Sequence, residues 1–298
     1  MHLTALSAGP EAPRSRFNGV IHSVFDQACN ILVDDGRLLA LLAPCLGNVP
    51  HGARIAVPAG FGFARHLRVG GPVGCRADVL RTAGLSIDLG TAQPWQAGLA
   101  AAGVDLAMPQ VVLAWRTAWR MLEQSRPRAG SAQVALLSRA VDRRGLCLAR
   151  ATRELRVHEA GLAVERLIGC GPGLTPSGDD LIVGFLAGLW SAAGDDPAQR
   201  AFRRALCAAV AAAAGRTGDI SRAYLTHATR GRFAEPLATL AAGIADGAPV
   251  GEIERVTARA LCVGHSSGGD GVLGLLLGLA AWSAGPVIGL DLEMSANG

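Results

Sequence analysis

The sequence predicts an α+β protein. A β-rich N-terminal domain over residues 1–100, a barrel or a sandwich, is followed by a mainly α-helical domain over 101–298 with an internal helix repeat. Three observations predict it. Residues 16–42 alternate apolar and polar side chains around β-formers, the period of a half-buried strand. From Pro109 onward the apolar period becomes that of a helix. Finally, Ser177-Gly178-Asp179-Asp180 and Ser267-Gly268-Gly269-Asp270, ninety residues apart, both read S-G-x-D, and each opens an apolar run with glycines four apart (Gly184 and Gly188, Gly274 and Gly278).

In the first domain, Gly19–Phe25, Asn30–Val33 and Arg37–Leu42 are strands, with Asp35-Gly36 as the hairpin turn between the last two. Arg54–Val57, Val73–Leu80 and Leu85–Leu89 are further strands, and the β-rich texture ends near Trp95. In the second domain, Val111, Val112, Trp115, Trp119 and Leu122 form one helical stripe, with Arg116, Arg120 and Glu123 off it. Both tryptophans therefore read as core. Asp196-Pro197 opens a helix running to Gly215, Ser221 caps one running to Gly231, and Glu235-Pro236 opens one closing at Gly247. Val250–Val263 leads into the second S-G-x-D copy, whose helix ends near Ala284.

Composition narrows the function. Half of the 298 residues are hydrophobic, enough for one large core or two modest ones. All 28 basic residues are arginine, which removes mechanisms that need a lysine and leaves arginine, hydroxyls and backbone to grip an anion. The net charge of +4 is scattered without a basic tract, and Tyr224 is the single tyrosine, so nucleic acid is not an expected partner. The seven cysteines are odd in number and never spaced as CxxC, which reads as reduced thiols in a cytoplasmic protein. Met1–Arg16 lacks the apolar core of a secretion signal. Residues 271–290 carry no charge, but their glycines and Pro286 shorten the helix, so they read as a soluble packed pair with the first copy rather than a membrane span.

The chemistry gathers at the two copies. Each puts Ser, Gly and Asp at a helix start, where free N–H groups and the positive dipole end favour an anion. Gly173-Leu174-Thr175-Pro176-Ser177-Gly178 has the spacing of a phosphate loop, but Asp179 stands where a lysine is required, and Gly169, Gly171 and Gly173 miss the dinucleotide fingerprint. Gly264-His265-Ser266-Ser267-Gly268 matches a nucleophile elbow, yet His265 is the last histidine, and a hydrolase places its histidine after the serine. Each candidate has two readings. Ser177 and Asp179 cap their helix or bind a ligand. Asp180 and Asp270 answer the helix dipole or, facing one cavity, hold Mg²⁺. Arg216, flanked by Gly215 and Gly218, forks onto a carboxylate or phosphate or caps the preceding helix. His265 carries a proton beside a bound anion or is structural.

Gly171–Asp180, Thr217–Ser221, Ala228–Glu235 with Gly231 and Phe233, Gly264–Gly268, and Val20–Phe25 with Asn30 resemble the signature blocks of the AllH-like oxamate carbamoyltransferase subunits. The resemblance covers most of the chain and implies a cytoplasmic subunit of an allantoin-degrading enzyme. Acting with partner subunits, such an enzyme converts oxalurate and phosphate to oxamate and carbamoyl phosphate. That chemistry fits the residues: Thr175, Ser177, Gly178, Ser267 and Gly268, flanked by Gly173, Thr217 and Ser266, for the anion; Arg216 for its carboxylate or phosphate; His265 or Asp180 for protons or metal. Two other functions fit the same motifs, a non-catalytic scaffold subunit with a structural helix pair and a stand-alone metal-dependent enzyme acting on a small acyl phosphate.

Overall fold

The computed structural model describes residues 1–96, 98–99, 104–126, 132–264 and 266–282. They divide into two compact units: Met1–Gly98 with Arg232–Glu235, and Leu99–Gly231 with Pro236–Gly298.

The first unit is an eight-stranded barrel. Its strands are β1 (His2–Ala8), β2 (Phe17–Val24), β3 (Ala28–Val33), β4 (Leu38–Leu42), β5 (Gly52–Ala56), β6 (Pro72–Arg76), β7 (Val79–Arg81) and β8 (Ser86–Asp88). The order β5-β4-β3-β2-β6-β7-β8-β1 closes because β1 also pairs with β5, Thr4 opposite Ala56. Closure leaves no open sheet edge along this ring. A ninth strand, β9 (Gln93–Pro94), joins β1 at Ser7 and Ala8, beyond the stretch paired with β8. Inward side chains such as Ile31, Leu39, Leu41, Ile55, Leu80 and Ile87 fill the core, and the short helix α1 (Phe63–His66) adds Phe63 to it.

One reading of this unit needs correction, and one strand went unread. Val73–Leu80 is not one strand: the backbone reverses at Ala77 (φ 48°) and Asp78 (φ 60°), making the β6–β7 hairpin. Positive φ at both central residues is the turn that suits strand twist, but Ala-Asp carries no glycine to announce it. β1 was not foreseen, because Ala, Ser and Thr make its alternation faint, although Leu3 and Ala5 are buried. Residues 232–235 join the barrel through Glu235, which accepts from the backbone N–H of Asn48 (2.9 Å) and from its side-chain amide (2.5 Å). Nothing in the sequence marks that excursion.

The second unit contains α2 (Pro109–Ser125), α3 (Ala132–Arg153), α4 (Val157–Leu167), α5 (Ser177–Ala192), α6 (Pro197–Ala213), α7 (Asp219–Ala228), α8 (Glu235–Ala245), α9 (Val250–Leu261) and α10 (Ser267–Ala281). Glu235, the first residue of α8, belongs to the barrel unit. The two S-G-x-D helices, α5 and α10, pack together in parallel with their starts side by side, as the Thr175–Ser267 hydroxyl contact of 2.8 Å shows. Glycine makes the approach possible, and it does so reciprocally. A Cβ on Gly184 would stand 1.9 Å from the Gly271 carbonyl oxygen, and one on Gly274 would stand 2.0 Å from that of Leu181. Gly188 meets the Leu275 carbonyl and Gly278 that of Phe185 in the same way. Advancing each position by ninety residues exchanges the partners, so the repeat is a pseudo-two-fold helix pair.

Trp115 is core, and its indole N–H donates to the Leu276 carbonyl at 3.0 Å. Asp196 caps α6 by accepting from the Ala198 N–H at 2.8 Å, as read from sequence. Ser221 is not a cap: α7 starts at Asp219 after Gly218, and Ser221 is buried inside the helix. No described helix is long and apolar enough to cross a membrane, and the charge-free stretch of α10 is buried in the helix pair. The expected helix end near Ala284 lies outside the described residues.

Candidate functional site

The starts of α5 and α10 bring Thr175, Ser177, Asp180, Ser267 and Asp270 together. Their bonds cross between the copies. Ser267 and Thr175 hydrogen-bond to Asp180, and Ser177 hydrogen-bonds to Asp270, so each serine serves the other helix's carboxyl. The remaining oxygen of each carboxyl, Oδ2, is buried without a hydrogen-bond partner. A buried, unpaired carboxylate oxygen is costly, and a carboxyl so placed favours its protonated form.

Burial lifts Asp180 to about 7; the hydroxyls of Ser267 and Thr175 oppose the rise, and the charges of Asp270 and Asp179 add to it. Burial likewise lifts Asp270 to about 6, against the Ser177 hydroxyl and the Arg126 charge, with Asp142 adding to the rise. Arg126 is held beside it by a two-point pair to Asp142, at 2.7 and 3.1 Å. Two acids that titrate near neutrality within one polar cluster can give and take protons near neutral pH.

Ser177 and Asp179 do not cap α5: the residue before the helix is Pro176 and no side-chain cap bond forms. Asp179, 1% exposed, instead accepts from the Gly169 N–H at 2.8 Å and from the Thr217 hydroxyl at 2.5 Å. Gly178 and Gly268 are buried, and their amides donate to the carbonyls of Cys170 (2.9 Å) and Val263 (2.8 Å). Both glycines permit tight packing: a Cβ would stand 2.0 Å from the Leu167 carbonyl at the first and 2.4 Å from that of Ala260 at the second. Side-chain hydroxyls and carboxyls, more than these amides, are thus the polar groups of the site.

Around this cluster, Gly173 (φ 94°) is exposed in the loop before α5, and Ser266 is exposed before α10. Arg216 is exposed in the turn Ala214–Arg216, its carbonyl 3.5 Å from where a Cβ on Gly169 would lie, and Thr217 is tied to Asp179. His265 lies outside the described residues. Among the described residues no group of three or more His, Cys, Asp or Glu gathers as a metal site would, so Asp180 and Asp270 stand as a pair of carboxyls. All seven cysteines are free.

Sequence reading missed two participants. Tyr224 on α7 lies close enough to the cluster to feel its charge: burial, followed by the Asp180 charge, pushes its phenol up to about 12. As the only tyrosine, behind the Thr217–Ser221 block, it carried a signal, but nothing local placed it against Asp180. The bracing role of Asp179 was also hidden, although the repeat marks the position: the second copy has Gly269 there.

A closed strand barrel and a helical unit centred on a parallel, glycine-lined helix pair, with serines and carboxyls crossed at its starts, define the class of protein. Residues 4–94 match the model of the AllH family N-terminal domain, and residues 167–279 match the model described as oxamate carbamoyltransferase subunit AllH. The chain belongs to the AllH family. No curated protein and no solved structure matches it.

Proposed function

We propose that the chain is a cytoplasmic subunit of a carbamoyltransferase that interconverts oxalurate plus phosphate with oxamate plus carbamoyl phosphate in the breakdown of allantoin. We further propose that it binds a small anionic substrate at the paired helix starts. The family description supports the reaction class and the need for partner subunits. The meeting of Thr175, Ser177, Ser267, Asp180 and Asp270 at one point is the observation that carries the site.

The chemistry asks for few groups. A phosphate oxygen adds to the ureido carbon, and negative charge grows on the carbonyl oxygen. The bond from that carbon to the oxamoyl nitrogen then breaks with its electron pair, and the nitrogen takes a proton. Hydroxyl donors and helix-start dipoles meet the growing charge. Asp180, poised at about 7, supplies the proton, with Asp270 as the second acid. Arg216 takes a carboxylate or phosphate end. The test is phosphorolysis of oxalurate by the complex reconstituted with its partner subunits. Loss of carbamoyl phosphate formation with Asp180→Asn in an assembled complex supports the reading, and full activity of that variant refutes it.

A second reading, a non-catalytic scaffold subunit, is favoured by one observation: the motif serines and carboxyls bond to each other, and the Gly178 and Gly268 amides are closed by loop carbonyls. On that reading, activity stays with the partner chains, and Asp180→Asn changes stability alone.

A further inference from the structure

The helix pair is symmetric except at one position of its motif. Where the first copy has Asp179, the second has Gly269, with only Leu122 near the place of its missing side chain. The Asp179 side chain makes no capping bond to its own helix start. Both of its oxygens reach outward, one to the Gly169 N–H at 2.8 Å and the other to the Thr217 hydroxyl at 2.5 Å. Gly169 (φ 72°) forms the turn after α4 and leads into the glycine-rich loop 169–175, while Thr217 follows directly on Arg216. The same carboxyl therefore clasps the loop of the first motif to the turn that carries the exposed arginine, and the Arg216 carbonyl lies against Gly169. A carboxylate 1% exposed is expensive to bury, and a helix that needed only packing could have kept glycine here, as the second copy does.

We propose that Asp179, acting through Thr217, is the positioning residue of the site: it fixes the 214–217 turn so that Arg216 stands beside the glycine-rich loop and forks onto the carboxylate or phosphate end of the substrate. The Arg216 side chain is exposed at the end of the 214–216 turn, and the Thr217–Asp179 bond removes the turn's freedom to carry it away. The inference deepens the proposed function and rests on it.

The test uses the full chain and three probes, oxamate, carbamoyl phosphate and inorganic phosphate, titrated calorimetrically, with each variant's melting temperature recorded. Thr217→Val keeps shape and removes the donor; Thr217→Ser restores it. Arg216→Ala and Thr217→Val are each expected to weaken binding about tenfold, the worth of one hydrogen bond to a charged partner. Thr217→Ser should bind like the natural protein, and the double variant Arg216→Ala/Thr217→Val no more weakly than Arg216→Ala alone, because the threonine acts only through the arginine. A Thr217→Val protein that melts lower but binds normally overturns the proposal and leaves the clasp structural. Losses that multiply in the double variant also overturn it. If Arg216→Ala binds normally, or the natural chain binds none of the probes, the reading of the site itself fails and the proposal falls with it.

Discussion

Replacing Gly184 with alanine adds one methyl group where the structure has no room for it. The new Cβ would stand 1.9 Å from the Gly271 carbonyl oxygen, 2.8 Å from its carbon and 2.9 Å from the Leu275 nitrogen, all backbone atoms that no rotamer change can move. Real Cβ atoms essentially never approach within 3.0 Å, so α5 and α10 must separate by about an ångström along their shared seam. Loss of packing over two helices at the centre of the unit places the cost at about 3 kcal/mol, the upper end of overpacking. That corresponds to a fall of roughly 10 °C in melting temperature for a unit of this size. Gly274→Ala, its pseudo-symmetric partner at 2.0 Å from the Leu181 carbonyl, should cost about the same. The double variant should cost less than the sum, since one separation relieves both clashes. Gly161→Ala in α4 is the control: nothing lies within 4 Å of its Cβ, so the same substitution should stabilise by about 0.5–1 kcal/mol through helix propensity. Thermal and urea unfolding of the four variants give the comparison. A Gly184→Ala protein as stable as Gly161→Ala would refute the close parallel pair and the convergence of the two motifs that depends on it.

Other outcomes follow from single contacts. The folded protein holds protons on Asp180 and Asp270 more tightly than the ordinary 3.8, so their contribution to stability is complete below about pH 4 and is lost as pH rises through about 6 and 7. Urea unfolding from pH 4 to 8 should show Asp180→Asn gaining on the natural protein by up to about 1.4 kcal/mol per pH unit, levelling off above pH 7. Trp115→Phe removes the donor to the Leu276 carbonyl and should destabilise by about 1 kcal/mol or more, seen as a shifted urea midpoint. Ala77→Gly relieves a non-glycine residue held at φ 48° in the β6–β7 turn and should raise the barrel's stability by up to about 1 kcal/mol.

Long-period signals were legible in the chain, and single contacts were not. The alternation of residues 16–42 identifies three barrel strands, and the spaced glycines of the two motifs identify the helix pair, whose parallel sense comes from the packing of Gly184 and Gly188 against the start and middle of α10. The split of Val73–Leu80 was hidden because its turn uses Ala77 and Asp78 in a conformation usually marked by glycine. The cap role of Ser221 failed because Gly218 and Asp219 start α7 two residues earlier than the serine. At the site, the repeat pointed to side chains that the fold does gather at the two helix starts but could not say which group serves which. That Ser177 answers Asp270, that Ser267 answers Asp180, and that the Gly178 and Gly268 amides are taken by loop carbonyls depend on tertiary packing. Tyr224 feels the Asp180 charge because α7 packs against α5, a packing no local pattern encodes.

The central claim, a small-anion site at the crossed helix starts, is tested most directly by titrating carbamoyl phosphate and oxamate into the full chain and into its Ser177→Ala/Ser267→Ala variant by calorimetry. Saturable binding that weakens at least about tenfold in a variant retaining its helical content is the predicted result. Equal affinity in both proteins, or binding to neither, would contradict it.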